Sequence, residues 1–248
     1  MSSAWVDAQS GSDSNDGLTL ATPKQTLAAG AALLDATTYE TLYLKGTFRA
    51  AGLTLASLQN KNVSAWPGQS RWTIRGDTVL ATTGWSASSN GYAKNIGTGK
   101  TLSAVVYNWD NCVLASGRHY GILFSDSLAN VQGATDSVGR YNYNSGTGVL
   151  TVYVPGSTVA TTSDNPATSG KDIAICETEG INAVLLDGCA NITVEDGYCY
   201  LFPTYVNQDG WGVQVKSSNN CIVRRVDVID CGAHGIGAYG VGATAECL

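Results

Sequence analysis

Hydrophobic positions along this chain fall in short alternating runs and do not form helical stripes. Thr41-Leu42-Tyr43-Leu44 reads as a strand ended by Gly46, and Leu53-Thr54-Leu55 begins another. In the C-terminal third the alternation recurs at a fixed spacing. Ala183-Val184-Leu185-Leu186 matches Gly212-Val213-Gln214-Val215, and Asn191-Ile192-Thr193-Val194 matches Asn220-Cys221-Ile222-Val223, both 29 positions apart. At the same offset Gly197 and Cys199 fall on Val226 and Val228. Gly235-Ile236-Gly237-Ala238 repeats the Gly212 strand 23 positions on, and Ala245 and Cys247 repeat Cys221 and Val223 at 24. Short strands recurring every 20–30 residues, with Gly and Asn between them, predict a solenoid. Each layer then pairs in parallel with its neighbours roughly 4.8 Å away, and only stacking buries its inner face.

Two segments interrupt the pattern. Thr22-Pro23 opens a helix expected over Lys24 to Leu34, with Thr22 as its cap and Pro23 in its first turn. Residues 83–170 fit the repeat poorly and carry Trp85, Tyr92, Trp109, Tyr120, Tyr141, Tyr143 and Tyr153. Within them RYNYNSGTGVLTVYVPG reads as a β-hairpin with a Gly-containing turn, stopped by Pro155-Gly156. The expected division is therefore residues 1–82 as cap and first layers, 83–170 as a β-rich insertion, and 171–248 as further layers. The insertion's aromatics either form its own small core or line a groove wall. No capping segment follows the Ala245 strand, so the solenoid is expected to be a partial chain or to end against a partner.

The opening AWVDAQSGSDSNDG…ATPKQTLAAGAALL resembles the start of right-handed parallel β-helix proteins, in which a strand, a Gly-Ser-Asp-rich turn and a short helix close one end. NQDGWGVQVKSSNNCIVRRVDVIDCGAHGIGAYG is similar to their repeating layers. Polysaccharide lyases, some glycoside hydrolases and bacteriophage tailspikes share that pattern. The resemblance covers roughly residues 4–80 and 171–248. It implies an all-β, right-handed parallel β-helix that binds polysaccharide or surface glycan and cleaves it as a lyase or hydrolase, with homotrimers common. The alternative is a non-catalytic structural or adhesive β-helix of a virion or cell surface.

Composition narrows the partners. Charged residues make up 14% of the chain and Gly numbers 29, which excludes a helical bundle or coiled coil. A net charge of −6 with 14 scattered Lys and Arg argues against nucleic acid. No apolar run is long enough for a membrane helix, and residues 1–20 lack a secretory signal pattern, so an extracellular or virion-associated place is expected without one. Seven Cys, none in a CxxC, make zinc an unsuitable reading and buried thiols the expected one. No cofactor is called for. Asp13, Asn15 and Asp16 outline a calcium loop that lacks the closing Glu.

Chemistry concentrates in three places. Arg224 and Arg225, near Lys216, could neutralise a uronate carboxylate during elimination. The 29-residue register offers them another role, because it sets Lys216 over Asp187, Arg224 over Glu195 and Arg225 over Asp196 as an ion-pair ladder. NQDGWG and CGAHGIGAYG resemble signatures of polygalacturonase-type hydrolases, which nominates Asp209 and His234 as catalytic beside Trp211; Asp230 joins them as a catalytic carboxylate, and Trp211 and Tyr205 are read as substrate-binding. The family's paired Asp-Asp layer is absent, Ala233 replaces a Gly, and its downstream basic motif would lie beyond Leu248. Hydrolysis needs two carboxylates, and Asp209 with Asp230 is the pair on offer. Gly117-Arg118-His119-Tyr120 supplies a third set, Arg118 and His119, suited to a sugar carboxylate or to acid–base work. Phosphate loops, Gly-x-Ser-x-Gly elbows and His-Glu-x-x-His motifs are missing from the sequence.

Overall fold

A computed structural model of the chain describes residues 2–35, 39–107, 122–134, 139–154, 163, 165–170, 172–177, 181–202, 210–232, 234–240 and 245–247. It divides into two units, residues 1–76 with 179–248, and residues 77–178. Strands dominate both, and two helices occur among the described residues.

The first unit is built from two parallel stacks. One runs through Ser2–Asp7, Tyr39–Lys45, Gln59–Ala65, Ala190–Phe202, Cys221–Cys231 and Ala245–Cys247. Thr47–Arg49 and Trp72–Arg75 extend it along the second half of Ala190–Phe202. The other holds Leu53–Ala56, Val184–Asp187, Val213–Lys216 and Ile236–Tyr239. The repeat read from the sequence is the pairing register. Val184 pairs Val213, Val213 pairs Ile236, Val194 pairs Val223, and Cys221 pairs Ala245.

Alternation explains why the stacks hold. Leu42, Val63 and Val194 stand side by side on successive strands, and each is fully buried. Leu55, Leu186 and Val215 do the same in the second stack, and all belong to one apolar core. Each such side chain contributes roughly 1.5–3 kcal/mol by leaving water. A strand shifted by one position would turn that whole row outward.

The beginnings of three stacked strands use left-handed backbone. Asn60, Asn191 and Asn220 have φ of 56°, 54° and 50°, a conformation that Asn tolerates better than most side chains. They also form a ladder, in which the Asn220 amide donates to Asn191 Oδ1 at 2.6 Å and the Asn191 amide to Asn60 Oδ1 at 2.9 Å. Asp196 and Arg225, also left-handed, bend the two longest strands at matching points.

The N-terminal helix spans Leu27–Asp35, three residues later than expected at its start. Thr26 is its cap, with Oγ1 accepting from Ala29 N–H at 3.2 Å. Thr22 is instead held by Asp16, and Lys24 is extended, donating its N–H to the Trp5 carbonyl at 2.9 Å. Pairing beside the first strand overrode the local Thr-Pro signal.

The second unit is an eight-stranded sheet of order Thr78–Val79, Ile173–Cys176, Ala104–Tyr107, Ile122–Ser125, Arg140–Asn144, Val149–Tyr153, Gly91–Asn95 and Ser86–Ser88. Its neighbours are antiparallel except Ile122–Ser125 with Arg140–Asn144. The hairpin forms as read, Asn144 pairing with Val149. The unit is wider than 83–170 because Val79 and Thr78 pair with Ala174 and Ile175, which ties both flanks into its sheet. Its aromatics serve its own packing. Tyr141 is buried in a cluster with Leu150 and Ile175, and Trp85, Tyr92 and Tyr143 pack against that cluster. Tyr153 lies with Val131 of the helix Leu128–Gly133. Trp109, Tyr120 and Pro155-Gly156 lie outside the described residues.

Candidate functional site

One face of the first stack carries side chains suited to a ligand. Trp5 and Tyr43 are register partners, each one residue beyond a buried position, so their rings point outward together. They stack with centroids 4.6 Å apart. Trp66, just past the next strand, meets Trp5 edge-on at 5.3 Å and donates its indole N–H to the Tyr43 carbonyl at 3.1 Å. The Lys45 ammonium sits 4.9 Å from the Trp66 ring and pairs with Asp7 at 2.8 Å.

Asp7 is buried, which by itself would raise its pKa. Lys45, the Ser10 hydroxyl at 2.6 Å and the N–H groups of Gln9 and Ser10 overcome that and hold its carboxyl far below the usual range. A second charged group lies further along the face. Arg71 covers the Tyr198 ring at 5.1 Å and bonds Asp227 at 2.6 Å, and Tyr198 stacks on Tyr200 at 5.7 Å. Tyr198 reaches the surface because its register partners, Thr73 and Asp227, are polar outward positions. Behind it Gly197 leaves room for Trp72, whose ring carbon would lie 2.1 Å from any Cβ placed there.

The ion-pair ladder forms in the register read from the sequence. Lys216 pairs with Asp187 at 3.0 Å, Arg224 with Glu195 at 2.6 Å, and Arg225 with Asp196 at 2.6 Å and Glu195 at 2.8 Å. The Arg225 hydrogen bond holds the Asp196 carboxyl low, and the same bond raises the guanidinium pKa. Between the aromatic ledge and this ladder lies a depression of about 400 Å³, bordered by Tyr43, Ser64, Trp66, Gln69, Arg71 and Asp196. Asp7 and Asp196 both stay ionised near neutrality, so neither is a proton donor there.

The residues nominated from the sequence are distributed differently. Arg224, Arg225 and Lys216 are engaged in the ladder. Trp211, nominated as a substrate platform, is buried, with the His234 ring 4.3 Å away between centroids and Gly237 so close that a Cβ there would lie 2.8 Å from the indole. The backbone N–H groups of Trp211 and Gly210 donate to Asn182 Oδ1, and the Asn182 amide donates to Gln214 at 3.0 Å. His234 is exposed beside that corner, its carbonyl accepting from Gly212 at 3.1 Å. Asp230 is exposed and left-handed at the end of its strand. Asp209, Tyr205, Arg118 and His119 lie outside the described residues.

The calcium outline is occupied by local bonding. Asp13 accepts from Gln25 N–H, Thr26 N–H and the Thr26 hydroxyl, Asp16 from Leu18 N–H and Thr22, and the Asn15 amide donates to the Pro23 carbonyl. Among the described residues no cluster of three or more His, Cys, Asp or Glu is arranged to hold a metal. No described helix is long and apolar enough to cross a membrane. Sequence reasoning missed the ledge because Trp5, Tyr43, Trp66 and Tyr198 are far apart in the chain. The one available signal was the outward parity of Trp5 and Tyr43 beside buried alternating positions.

No family model and no curated protein matches the chain. Solved structures do. The native crystal structure of GH136 lacto-N-biosidase from Eubacterium ramulus is 12% identical with a TM-score of 0.38, the alignment covering 99% of this chain and 30% of that one. The selenomethionine derivative of the same enzyme is 14% identical with a TM-score of 0.36, covering 100% and 30%. The chain thus spans 30% of the length of the solved structures it matches.

Proposed function

We propose that the first unit is a right-handed parallel β-helix of the kind shared by polysaccharide-handling enzymes and phage tailspikes, and that its outward aromatic face binds polysaccharide. The observation that carries this is the outward pair Trp5 and Tyr43, backed by the buried Trp66, beside the depression at Ser64 and Arg71. Sugar rings present C–H faces to aromatic rings and hydroxyls to amides and paired charges, and this face supplies both. A place outside the cell or on a virion, and association as a homotrimer, belong to the same reading.

Cleavage is a further step of that reading, with Asp209, Asp230 and His234 as its acid–base group. The pairing of Arg224 and Arg225 with Glu195 and Asp196 favours the non-catalytic, adhesive reading over elimination, because both guanidinium charges are already balanced by carboxylates. Incubation with a panel of polysaccharides separates the alternatives. Absorbance from a new unsaturated bond identifies a lyase, and new reducing ends identify a hydrolase. Retained binding with neither signal identifies an adhesin, and absence of binding on affinity electrophoresis across the panel overturns the reading.

A further inference from the structure

The row of outward positions that begins Trp5, Tyr43 does not continue in kind. The partner of Tyr43 on the next strand is Ser64. One face of the Tyr43 ring is therefore covered by Trp5, while the side toward Ser64 meets a side chain with no ring. The depression of about 400 Å³ lies there, within the usual size of small-ligand sites, roughly 300–1,000 Å³. It lies where the outward row changes from rings to polar side chains, with Gln69, Arg71 and Asp196 on its rim.

The charges around it balance in pairs. Lys45 meets Asp7, Arg71 meets Asp227, Arg224 meets Glu195, and Arg225 meets Asp196 and Glu195. An incoming carboxylate would lie beside the ionised Asp196 and would compete with Asp227 for Arg71. An uncharged ring does neither. Its hydroxyls can donate to the outer lone pairs of Asp196 and accept from Gln69 and Arg71 while those ion pairs stay closed.

We propose that the slot between Tyr43, Ser64, Trp66 and Arg71 is a subsite for one uncharged pyranose unit of a neutral glycan. This rests on the polysaccharide-binding reading and specifies the class of sugar. Stacking with closed ion pairs makes the affinity insensitive to ionic strength, whereas capture of a uronate would weaken as salt screens it.

The test is a titration of the full chain, followed by tryptophan fluorescence and calorimetry, with neutral hexasaccharides of xylan, mannan and β-glucan and with oligogalacturonate and oligoalginate, at low and high sodium chloride. At least one neutral series is expected to bind, with less than a twofold change in affinity across salt. Tyr43→Ala should weaken it at least tenfold and Tyr43→Phe should preserve it. Ser64→Tyr, which fills the depression with a ring like those of Trp5 and Tyr43 on the two preceding strands, should weaken it at least tenfold while the circular dichroism spectrum is unchanged. Salt-sensitive binding of the uronates alone overturns the neutral-sugar assignment and leaves glycan binding standing. Neutral binding that survives Ser64→Tyr overturns the location. Silence with every oligosaccharide overturns the polysaccharide reading itself.

Discussion

Asp7 illustrates how a single buried carboxylate can be made useful to a fold. It is 2% exposed, and its charge is met by Lys45, Ser10 and two backbone N–H groups. A carboxyl with a folded-state pKa below its unfolded value of about 4 contributes its full stability above that value. The contribution is lost as pH falls through the folded pKa. At neutral pH Asp7→Asn is therefore expected to melt below the wild type in differential scanning fluorimetry. The gap should narrow as the buffer is taken below about pH 4. A gap that stays constant through the acid range would show that packing, and not the ionised group, is responsible. The loop after Asp7 also holds the strand that presents Trp5, which links this charge to the candidate site.

Elements owe their positions to matched corners as much as to strands. The asparagine ladder places Asn60, Asn191 and Asn220 in one left-handed row with amides bonded in series. Two substitutions separate its two contributions. Asn191→Gly keeps the backbone conformation and loses the amide bonds, so a cost near 1 kcal/mol is expected in urea denaturation. Asn191→Val loses the bonds and also forces a β-branched residue into left-handed space, so its cost should be larger by about 1–3 kcal/mol. Equal costs would mean that the corner imposes no conformational demand. The sequence reading registered Asn191 and Asn220 as repeats, but Asn60 belongs to a layer separated from them by the whole second unit. That long separation is why the ladder's first rung was not legible.

At the scale of the molecule, the first unit is two stretches of chain that share one core although residues 77–178 lie between them in sequence. Its cysteines report on that core. Cys176, in the other unit, and Cys189, Cys199, Cys221 and Cys231 are free thiols, and all but Cys231 are buried. Burial raises the Cys189, Cys199 and Cys221 pKa values and pushes Cys231 up to about 12. Native protein treated with iodoacetamide is therefore expected to carry no label at Cys189, Cys199 and Cys221 by peptide mass mapping. All three should label together once urea unfolds the unit. Rapid labelling of Cys199 in the native state would contradict the close packing of both stacks.

Spacing and alternation alone determined the repeating strands of the C-terminal third, their parallel register and the ladder of Lys216, Arg224 and Arg225, because a period-2 pattern repeated at a constant offset allows only one buried face. The helix start, the flanks of the second unit and the burial of Trp211 were decided by tertiary structure. Each depends on a partner distant in sequence: Trp5 for Lys24, Ala174 for Val79, and His234 and Gly237 for the indole. The candidate site is likewise a product of stacking. Trp5, Tyr43, Ser64 and Asp196 become neighbours only when their strands lie side by side, and no local pattern records which outward residues a parallel stack will bring together.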